Sequence, residues 1–340
     1  MAYNHGVKVS EVPTSINPPV SVAAGIPFIV GTAPVNMTDP KNVNRPVRCA
    51  SYEEAVQFFG FVPAKDDAVS GLKKYEYTIS EFIQSQFALF AVGPVIIVNV
   101  LDPTTHKKAA TTSTVTLDAK TGAFTIEETG ILPESVSLKL TDKTYVKGTD
   151  YELTFNSDGQ LIVTSLRSSE GELLCATAQP LSFVAEKLDP TMVTADDVVG
   201  GGDVAGKKSG FELVSECFPR FREVPGLLLA PGFSTSATVA AVMAAKADSI
   251  NEHFRAIALV DVPTDTVMRY SDVAAWKNNN NVIDAQQVVC WPMIALDGTV
   301  YHMSTQLAGL IGQVDSDNED VPYVSPSNKN FQMTATVLAD

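Results

Sequence analysis

The sequence predicts an α/β (or α+β) core that is interrupted by an all-β domain and preceded by an extended N-terminal arm. In two stretches, apolar runs of strand length alternate with helical patterns, which is typical of a sheet covered by helices. Between them lies a stretch of short alternating runs with almost no helical periodicity. We therefore expect an arm over residues 1–25, a discontinuous core over 26–104 and 186–340, and an inserted barrel or sandwich over 105–185.

The N-terminal arm combines strand character with prolines. Val7 and Val9 alternate with polar neighbours, as one face of a strand does, and Pro13, Pro18 and Pro19 then forbid a helix and remove backbone donors. A strand-like arm without a local partner commonly pairs with a sheet edge on another subunit. The arm therefore indicates assembly rather than catalysis.

Composition sets limits on the class of protein. With 340 residues, of which 45% are hydrophobic, the chain is long enough for two or three domains. A formal net charge of −15 disfavours nucleic acid and anionic membranes as partners. The N-terminus does not resemble a signal peptide, and the apolar runs are too short to span a membrane. Four cysteines without CxxC spacing favour a reduced, cytosolic origin.

The first core stretch reads as two strands and two helices. Ser51 and Glu54 form a capping-box pattern, in which each side chain can bind a free amide at a helix start, and Gly60 would end that helix. The expected elements are a strand over Ile26–Val30, a helix from Ser51 to Phe58, a helix over Thr78–Val92 and a buried strand over Val95–Leu101.

The insert is predicted from short alternating runs separated by turn residues. Lys120–Gly122 and Asn156–Gly159 suit hairpin turns. One continuous mixed sheet is the alternative interpretation. The expected strands are Thr114–Leu117, Ala123–Glu127, Val136–Leu140, Tyr151–Phe155, Leu161–Thr164 and Leu173–Ala176.

The second core stretch returns to alternating strands and helices. The expected elements are a loop over Asp196–Gly210, strands over Gly226–Ala230 and Ala256–Val262, a helix over Ser236–Phe254, a helix that begins at Asp272, a strand over Val288–Ala295 followed by an Asp297–Gly298 turn, an irregular stretch over Pro322–Lys329 and a final strand from Thr334.

The segment most like an enzyme surrounds Ser234. A nucleophile elbow needs the pattern G-x-S-x-G, and Gly232 and Ser234 match it, but Ser236 stands where the second glycine belongs. We therefore interpret Ser234 or Ser236 as a helix N-cap. Nothing in the sequence ties a histidine to Ser234.

Two further patterns do not meet the requirements of a binding site. Gly200–Gly206 has neither the preceding strand nor the spacing of a nucleotide-binding loop. Asp315–Asp320 does not place Gly and Glu as a calcium loop requires, so a solvated acidic loop is expected. The sequence therefore predicts no catalytic, cofactor-binding or metal-binding residue.

Several segments, in this order, resemble the tail sheath proteins of contractile bacteriophage tails and related contractile injection particles. Gly6–Pro34 looks like an arm that runs into the first core strand, and Ser51–Gly60 and Phe87–Pro103 look like the next core pieces. Ala258–Pro263 resembles a strand ending in Asp-x-Pro. Gln306–Lys329, the best match, is similar to a helix followed by an Asp, a loop and Ser-Pro-x-Asn.

The resemblance implies a structural subunit of a contractile tail sheath in the virion tail, made in the host bacterial cytoplasm. Such subunits polymerise around an inner tail tube, contact baseplate and tail terminator proteins, and contract to drive the tube through the host envelope. The resemblance implies no cofactor, nucleic acid or membrane insertion. Neighbouring subunits would be joined by the apolar residues of the arm, Val7, Val9, Val12, Ile16, Val20 and Val22.

The resemblance covers roughly residues 5–104 and 186–330, so residues 105–185 look like the variable decoration of the family. Family members usually continue into a C-terminal module that packs on the tube, and this chain ends at Asp340. A truncated or proteolysed product, or a partly represented chain, is therefore expected. The alternatives are an α/β hydrolase-like enzyme with a binding insert, and an adhesin or capsid component. A pocket that joins Ser234 to a histidine and an acid would favour the enzyme.

Overall fold

A computed structural model describes residues 20–21 and 25–338 of the chain. Within these residues it has a mixed α/β architecture with seven α-helices and several sheets. The helices are α1 Tyr52–Phe59, α2 Thr78–Ile83, α3 Ala195–Val199, α4 Cys217–Phe221, α5 Ala237–Asp248, α6 Tyr270–Asn279 and α7 Met303–Ser316. The strands are β1 Val20–Ser21, β2 Pro27–Gly31, β3 Val47–Cys49, β4 Lys65–Asp66, β5 Lys73–Lys74, β6 Val92–Gly93, β7 Val95–Asn99, β8 Lys107–Ala109, β9 Thr114–Val115, β10 Ala123–Thr129, β11 Ser137–Leu140, β12 Lys143–Tyr145, β13 Tyr151–Phe155, β14 Gln160–Ser165, β15 Leu181–Val184, β16 Glu186–Leu188, β17 Leu227–Leu229, β18 Ile257–Asp261, β19 Gln287–Cys290, β20 Met293–Leu296, β21 Thr299–Tyr301 and β22 Ala335–Val337.

The central sheet contains six strands in the order β19-β18-β17-β2-β7-β3. Neighbouring strands are parallel except at the edge, where β3 runs antiparallel to β7. Strands β2, β7 and β17 are buried along their whole length, as parallel strands covered on both faces are. Helices α5 and α7 both contact β17 and β18. The expected strands of the two core stretches therefore meet in one sheet.

A second sheet brings the end of the described chain beside its first half, in the order β22-β20-β21-β5-β4. The expected Asp297–Gly298 turn is confirmed and connects β20 to β21. Both turn residues have positive φ, 48° and 82°, as a two-residue hairpin turn requires.

Residues 105–185 contain two further sheets, β10-β14-β13 and β12-β11-β15-β9. Residues from both sheets form an apolar cluster separate from the central core, with Ile126, Leu138 and Leu161 fully buried. The Asn156–Gly159 turn connects β13 to β14 as expected. The chain enters this region through β8 and leaves it through β16, and these two strands pair with each other.

Three expected elements of the core change their bounds. The helix over Thr78–Val92 is regular only to Ile83, since Gln84–Leu89 form a π-helix and Val92 lies in β6. Apolar spacing close to 3.6 residues does not distinguish a π turn from an α turn. Helix α5 ends at Asp248 rather than Phe254, because Ser249 has an extended backbone, with φ −148° and ψ 95°, and Asn251 and Glu252 then have positive φ angles. The run Val288–Ala295 divides between β19 and β20 in different sheets, because Pro292 has no amide hydrogen for a ladder.

Three other expectations are corrected. Leu173–Ala176 is irregular apart from one bridge between Leu173 and Arg167. The strand that pairs with β11 is the next one along the chain, β15. The expected loop Asp196–Gly210 begins within helix α3, which a Thr194 capping box starts. The Lys120–Gly122 turn is present, but it connects β9 and β10, which lie in different sheets.

Candidate functional site

Most of the arm residues predicted to join subunits lie outside the described part of the chain. These are Val7, Val9, Val12, Ile16 and Val22. Val20 is described, and the backbone of Val20–Ser21 pairs in parallel with Val92–Gly93 of the same chain. The arm is therefore attached to its own core at Val20, and the subunit-joining role of the six residues stays a prediction.

A buried polar cluster, here called the α7 latch, joins the start of α7 to β18 and α2. It is built around two carboxylates that come from different elements of the core. The residues of the α7 latch are Glu81, Ser234, Asp261, His302, Ser304 and Thr305.

Asp261 is the last residue of β18 and is only 5% exposed. Its carboxylate accepts hydrogen bonds from Ser304 N at 3.0 Å and from Ser304 Oγ at 2.5 Å. Burial raises the pKa of Asp261, and the charge of His302 and the bonds from Ser304 oppose that rise. A carboxylate at a helix start binds free amides and complements the helix dipole. The Asp-x-Pro segment therefore ends its strand where Asp261 can hold the first turn of α7.

Glu81 holds the same turn from the side of α2. One of its oxygens accepts hydrogen bonds from His302 N at 2.7 Å and Thr305 Oγ1 at 2.8 Å, and the other lies 2.8 Å from His302 Nδ1. Burial disfavours the charged imidazole, but the Glu81 carboxylate outweighs this effect and raises the pKa of His302 to about 9. At neutral pH a protonated His302 thus makes a charge-assisted hydrogen bond to Glu81.

The geometry around Ser234 bears on the alternative of a hydrolase. Ser234 is fully buried, and its Oγ accepts from Asp261 N at 3.0 Å and lies 3.3 Å from Asp261 Oδ2. A serine nucleophile needs a base in hydrogen-bond reach, but among the described residues the Oγ of Ser234 bonds to Asp261 and to no imidazole. A cleft of about 240 Å³ at this end of the sheet is lined by Asp261 and His302 but not by Ser234. The arrangement favours a structural network over a catalytic triad.

The interpretation of Ser234 or Ser236 as a helix N-cap is confirmed for the position of Ser236 but not for its side chain. Ser236 occupies the N-cap position of α5 but makes no side-chain capping bond. The Oγ of Ser234 instead accepts a hydrogen bond from the backbone amide of Asp261, at the end of the neighbouring strand β18. A contact across strands far apart in sequence leaves no local signal, so the helix-start pattern was the only one visible.

The remaining sequence patterns are explained by local structure. In the run Gly200–Gly206, the Asp203 carboxylate binds the amides of Ala205 and Lys207, both at 2.8 Å, which closes a turn. The run Asp315–Asp320 is not wholly a solvated loop, because Asp315 lies in the last turn of α7 and is buried. Within residues 20–21 and 25–338, no cluster of three or more His, Cys, Asp or Glu residues could hold a metal ion.

Two general features of the described residues also bear on function. The four cysteines are all buried with free thiols. No helix in the described part of the chain combines the length and apolarity needed to cross a bilayer.

Comparison with known proteins gives two relatives and no match to any family model. The chain is 27% identical over 328 residues to the tail sheath protein of Burkholderia phage BcepMu, which is 93% of this chain and 62% of that protein. It is 31% identical over 160 residues to a prophage major tail sheath protein of Pseudomonas aeruginosa (strain UCBPP-PA14), which is 46% of this chain and 39% of that protein. The chain thus spans less than two thirds of the length of either relative. Both relatives are named tail sheath proteins, and they confirm the resemblance of this chain to the phage tail sheath proteins.

Proposed function

We propose that this chain is a structural subunit of a contractile phage tail sheath, which polymerises around an inner tail tube and contracts to drive the tube through the host envelope. The observation that carries the proposal is the similarity to a tail sheath protein along 93% of the chain. Homology to sheath proteins implies subunits that assemble in a virion tail. The tube, the baseplate and the tail terminator are the proposed further partners.

The attachment of the arm at Val20 supports a role in joining subunits. Nineteen residues precede β1, and an extended chain of that length reaches at most about 60 Å. This reach is sufficient to contact a neighbouring subunit. The proposed joining residues are the six apolar residues of the arm, Val7, Val9, Val12, Ile16, Val20 and Val22. Of these, Val7 and Val9 alternate with polar neighbours, so they would form one apolar face that packs on the neighbour.

Contraction would then be an exchange of contacts between rigid cores. The central sheet and the α7 latch bind segments from the whole length of the core, so each core would move as a unit. The arms would keep neighbours connected while the surfaces between cores change. We propose that residues 105–185 form a peripheral β domain that is carried along with the core. No chemical step is required.

Negative-stain electron microscopy of the full-length gene product tests this proposal. We expect hollow tubes, and we expect dispersed particles when residues 1–19 are deleted or when Val7→Asp and Val9→Asp are combined, because charges on the apolar face of the arm oppose burial. The matched control is Ser10→Asp with Thr14→Asp, which adds the same charge at polar positions and should leave the tubes intact. Tubes of normal length from the arm-deleted protein would rule out the role of the arm, and an absence of tubes from every variant would count against the sheath function.

A further inference from the structure

The second half of α7 packs against β6, which is the strand that pairs with the arm at β1. Two glycines make this contact possible. A Cβ at Gly309 would overlap the ring of Phe90, and a Cβ at Gly312 would lie 3.3 Å from a methyl carbon of Val92. Glycine at both positions therefore allows α7 to lie close to the segment Phe90–Gly93.

The first turn of α7 is fixed from three sides. The α7 latch binds it to β18 through Asp261 and to α2 through Glu81. On a third side, the carbonyl of Thr305 accepts hydrogen bonds from Gln86 Nε2 at 3.0 Å and from Ser85 Oγ at 3.3 Å, both in the π-helix. That π-helix ends one residue before Phe90, which contacts Gly309.

These contacts form one continuous path from the central sheet to the arm. It runs from Asp261 and Glu81 into the first turn of α7, along the fourteen-residue helix as far as its tenth residue, Gly312, and through Val92 to the backbone of Val20. A helix of this length is about 20 Å long and bends little, so a shift at its start displaces its other half.

We infer that α7 is the element that positions the arm, with Gly312 seating β6 against the helix and the α7 latch fixing where the helix lies. The two-residue ladder between β1 and β6 forms only while α7 keeps that position. This inference rests on the proposed function in one respect: if the arm joins subunits, tension on the arm passes through β6 and α7 into the central sheet.

Amide hydrogen exchange on the isolated chain tests the inference without any need for assembly. We expect Gly312→Ala to speed exchange of the β1–β6 amides severalfold, because the added methyl carbon would lie 3.3 Å from Val92 and Val92 must shift by a few tenths of an ångström. Exchange of the central amides of β2 and β7 should not change. Alanine raises helix propensity, so loss of protection in the ladder would not come from a weaker helix. Gln313→Ala, at the half-exposed next position of α7, is the matched control and should leave the ladder unchanged.

The variant Thr305→Val tests the coupling from the other end of the helix. It removes the hydrogen bond to Glu81 at nearly constant volume, and we expect faster exchange both in the first turn of α7 and in the β1–β6 ladder. Faster exchange confined to the first turn would overturn the inference, as would a fully protected ladder in Gly312→Ala. If Gly312→Ala also speeds exchange of the central amides of β2 and β7, the result of Thr305→Val alone tests the inference. A failure of the sheath function in microscopy would leave these exchange results unaffected.

Discussion

Glu81 and Asp261 are buried carboxylates that bind the same helix start. The cost of burying each charge is offset by different partners. Asp261 receives backbone and hydroxyl hydrogen bonds from Ser304 and contacts Ser234 Oγ. Glu81 receives similar bonds from His302 N and Thr305 and, in addition, faces the His302 imidazole at 2.8 Å. Burying a carboxylate is costly unless it is paired or fully hydrogen-bonded. The α7 latch therefore depends on the protonation state of His302.

The stability of the chain should fall as the pH rises from about 6.5 through about 9. The pKa of His302 is raised from its ordinary 6.5 to about 9 in the folded chain. A raised pKa on histidine gives stability that is fully present below the unfolded value and is lost through the folded value, in total on the order of 3 kcal/mol. Urea unfolding between pH 6 and pH 8 measures the first part of this slope, below the range in which the four cysteines, whose pKa is raised by burial, lower the stability as well.

The variant His302→Gln should remove most of that pH dependence, because glutamine cannot carry the charge. The matched control is His253→Gln, since His253 is exposed, and its slope should equal that of the unchanged chain. An unchanged slope in His302→Gln would mean that the pH dependence arises elsewhere.

Gln306 is a buried residue whose replacement should stabilise the fold. It is fully buried in α7, and neither its Nε2 nor its Oε1 has a hydrogen-bond partner among the described residues. A buried polar group without a partner costs roughly 1–3 kcal/mol. We therefore expect Gln306→Met to raise the free energy of unfolding by about 1 kcal/mol or more in urea titration.

The matched comparison is Gln86→Met, which should stabilise less, because Gln86 Nε2 donates to the carbonyl of Thr305. A loss of stability in Gln306→Met would contradict the prediction, and an equal gain from both replacements would show that the hydrogen bond from Gln86 to Thr305 adds nothing to stability.

At the scale of elements, features set by neighbours in sequence were predictable. The start of α1 follows the predicted pattern at Ser51, whose Oγ accepts from Glu54 N at 3.2 Å. The Glu54 carboxylate also binds a free amide, but that of Ala50, one residue before the N-cap, at 2.7 Å. The helix ends at Gly60, whose φ of 74° suits glycine. These contacts lie within a few residues of one another, so the sequence pattern is sufficient.

Features that depend on contacts between distant segments were not predictable from pattern alone. The α7 latch joins Glu81 to His302, which are 221 residues apart. Of the α7 latch, the sequence analysis singled out Ser234, as a helix N-cap, and included Asp261 only through the Asp-x-Pro resemblance rather than through its chemistry. Glu81 lies among the apolar residues of α2, and such a buried acid is a signal that could have been noticed. A buried acid in the sequence does not indicate which residue binds it, because α7 and α2 are brought together only by the fold.

At the scale of the molecule, the insert has its own apolar cluster yet also contacts the core. Asn36 Nδ2 donates to Ile131 O at 3.1 Å, and Thr129 Oγ1 donates to Glu76 Oε2 at 2.6 Å. The region is closed at its base, where Ala110 N donates to Ala185 O at 2.9 Å beside the β8–β16 pair. The two ends of the region are thus adjacent, so a short linker could replace it.

Replacing residues 111–184 with a short Gly/Asn linker should leave a folded core. The linker would connect Ala110 to Ala185 as a hairpin of β8 and β16, and the apolar cluster of the central sheet contains none of the removed residues among its fully buried members. Lost hydrogen bonds at Asn36 and Glu76 should lower the free energy of unfolding by roughly 1–3 kcal/mol. One cooperative transition in thermal unfolding by circular dichroism is expected. Residues 111–184 expressed alone should also unfold cooperatively, since their apolar cluster is separate from that of the central sheet.

Loss of cooperativity in the shortened chain would mean that the two regions form one folding unit, and the proposed domain boundary would have to be abandoned.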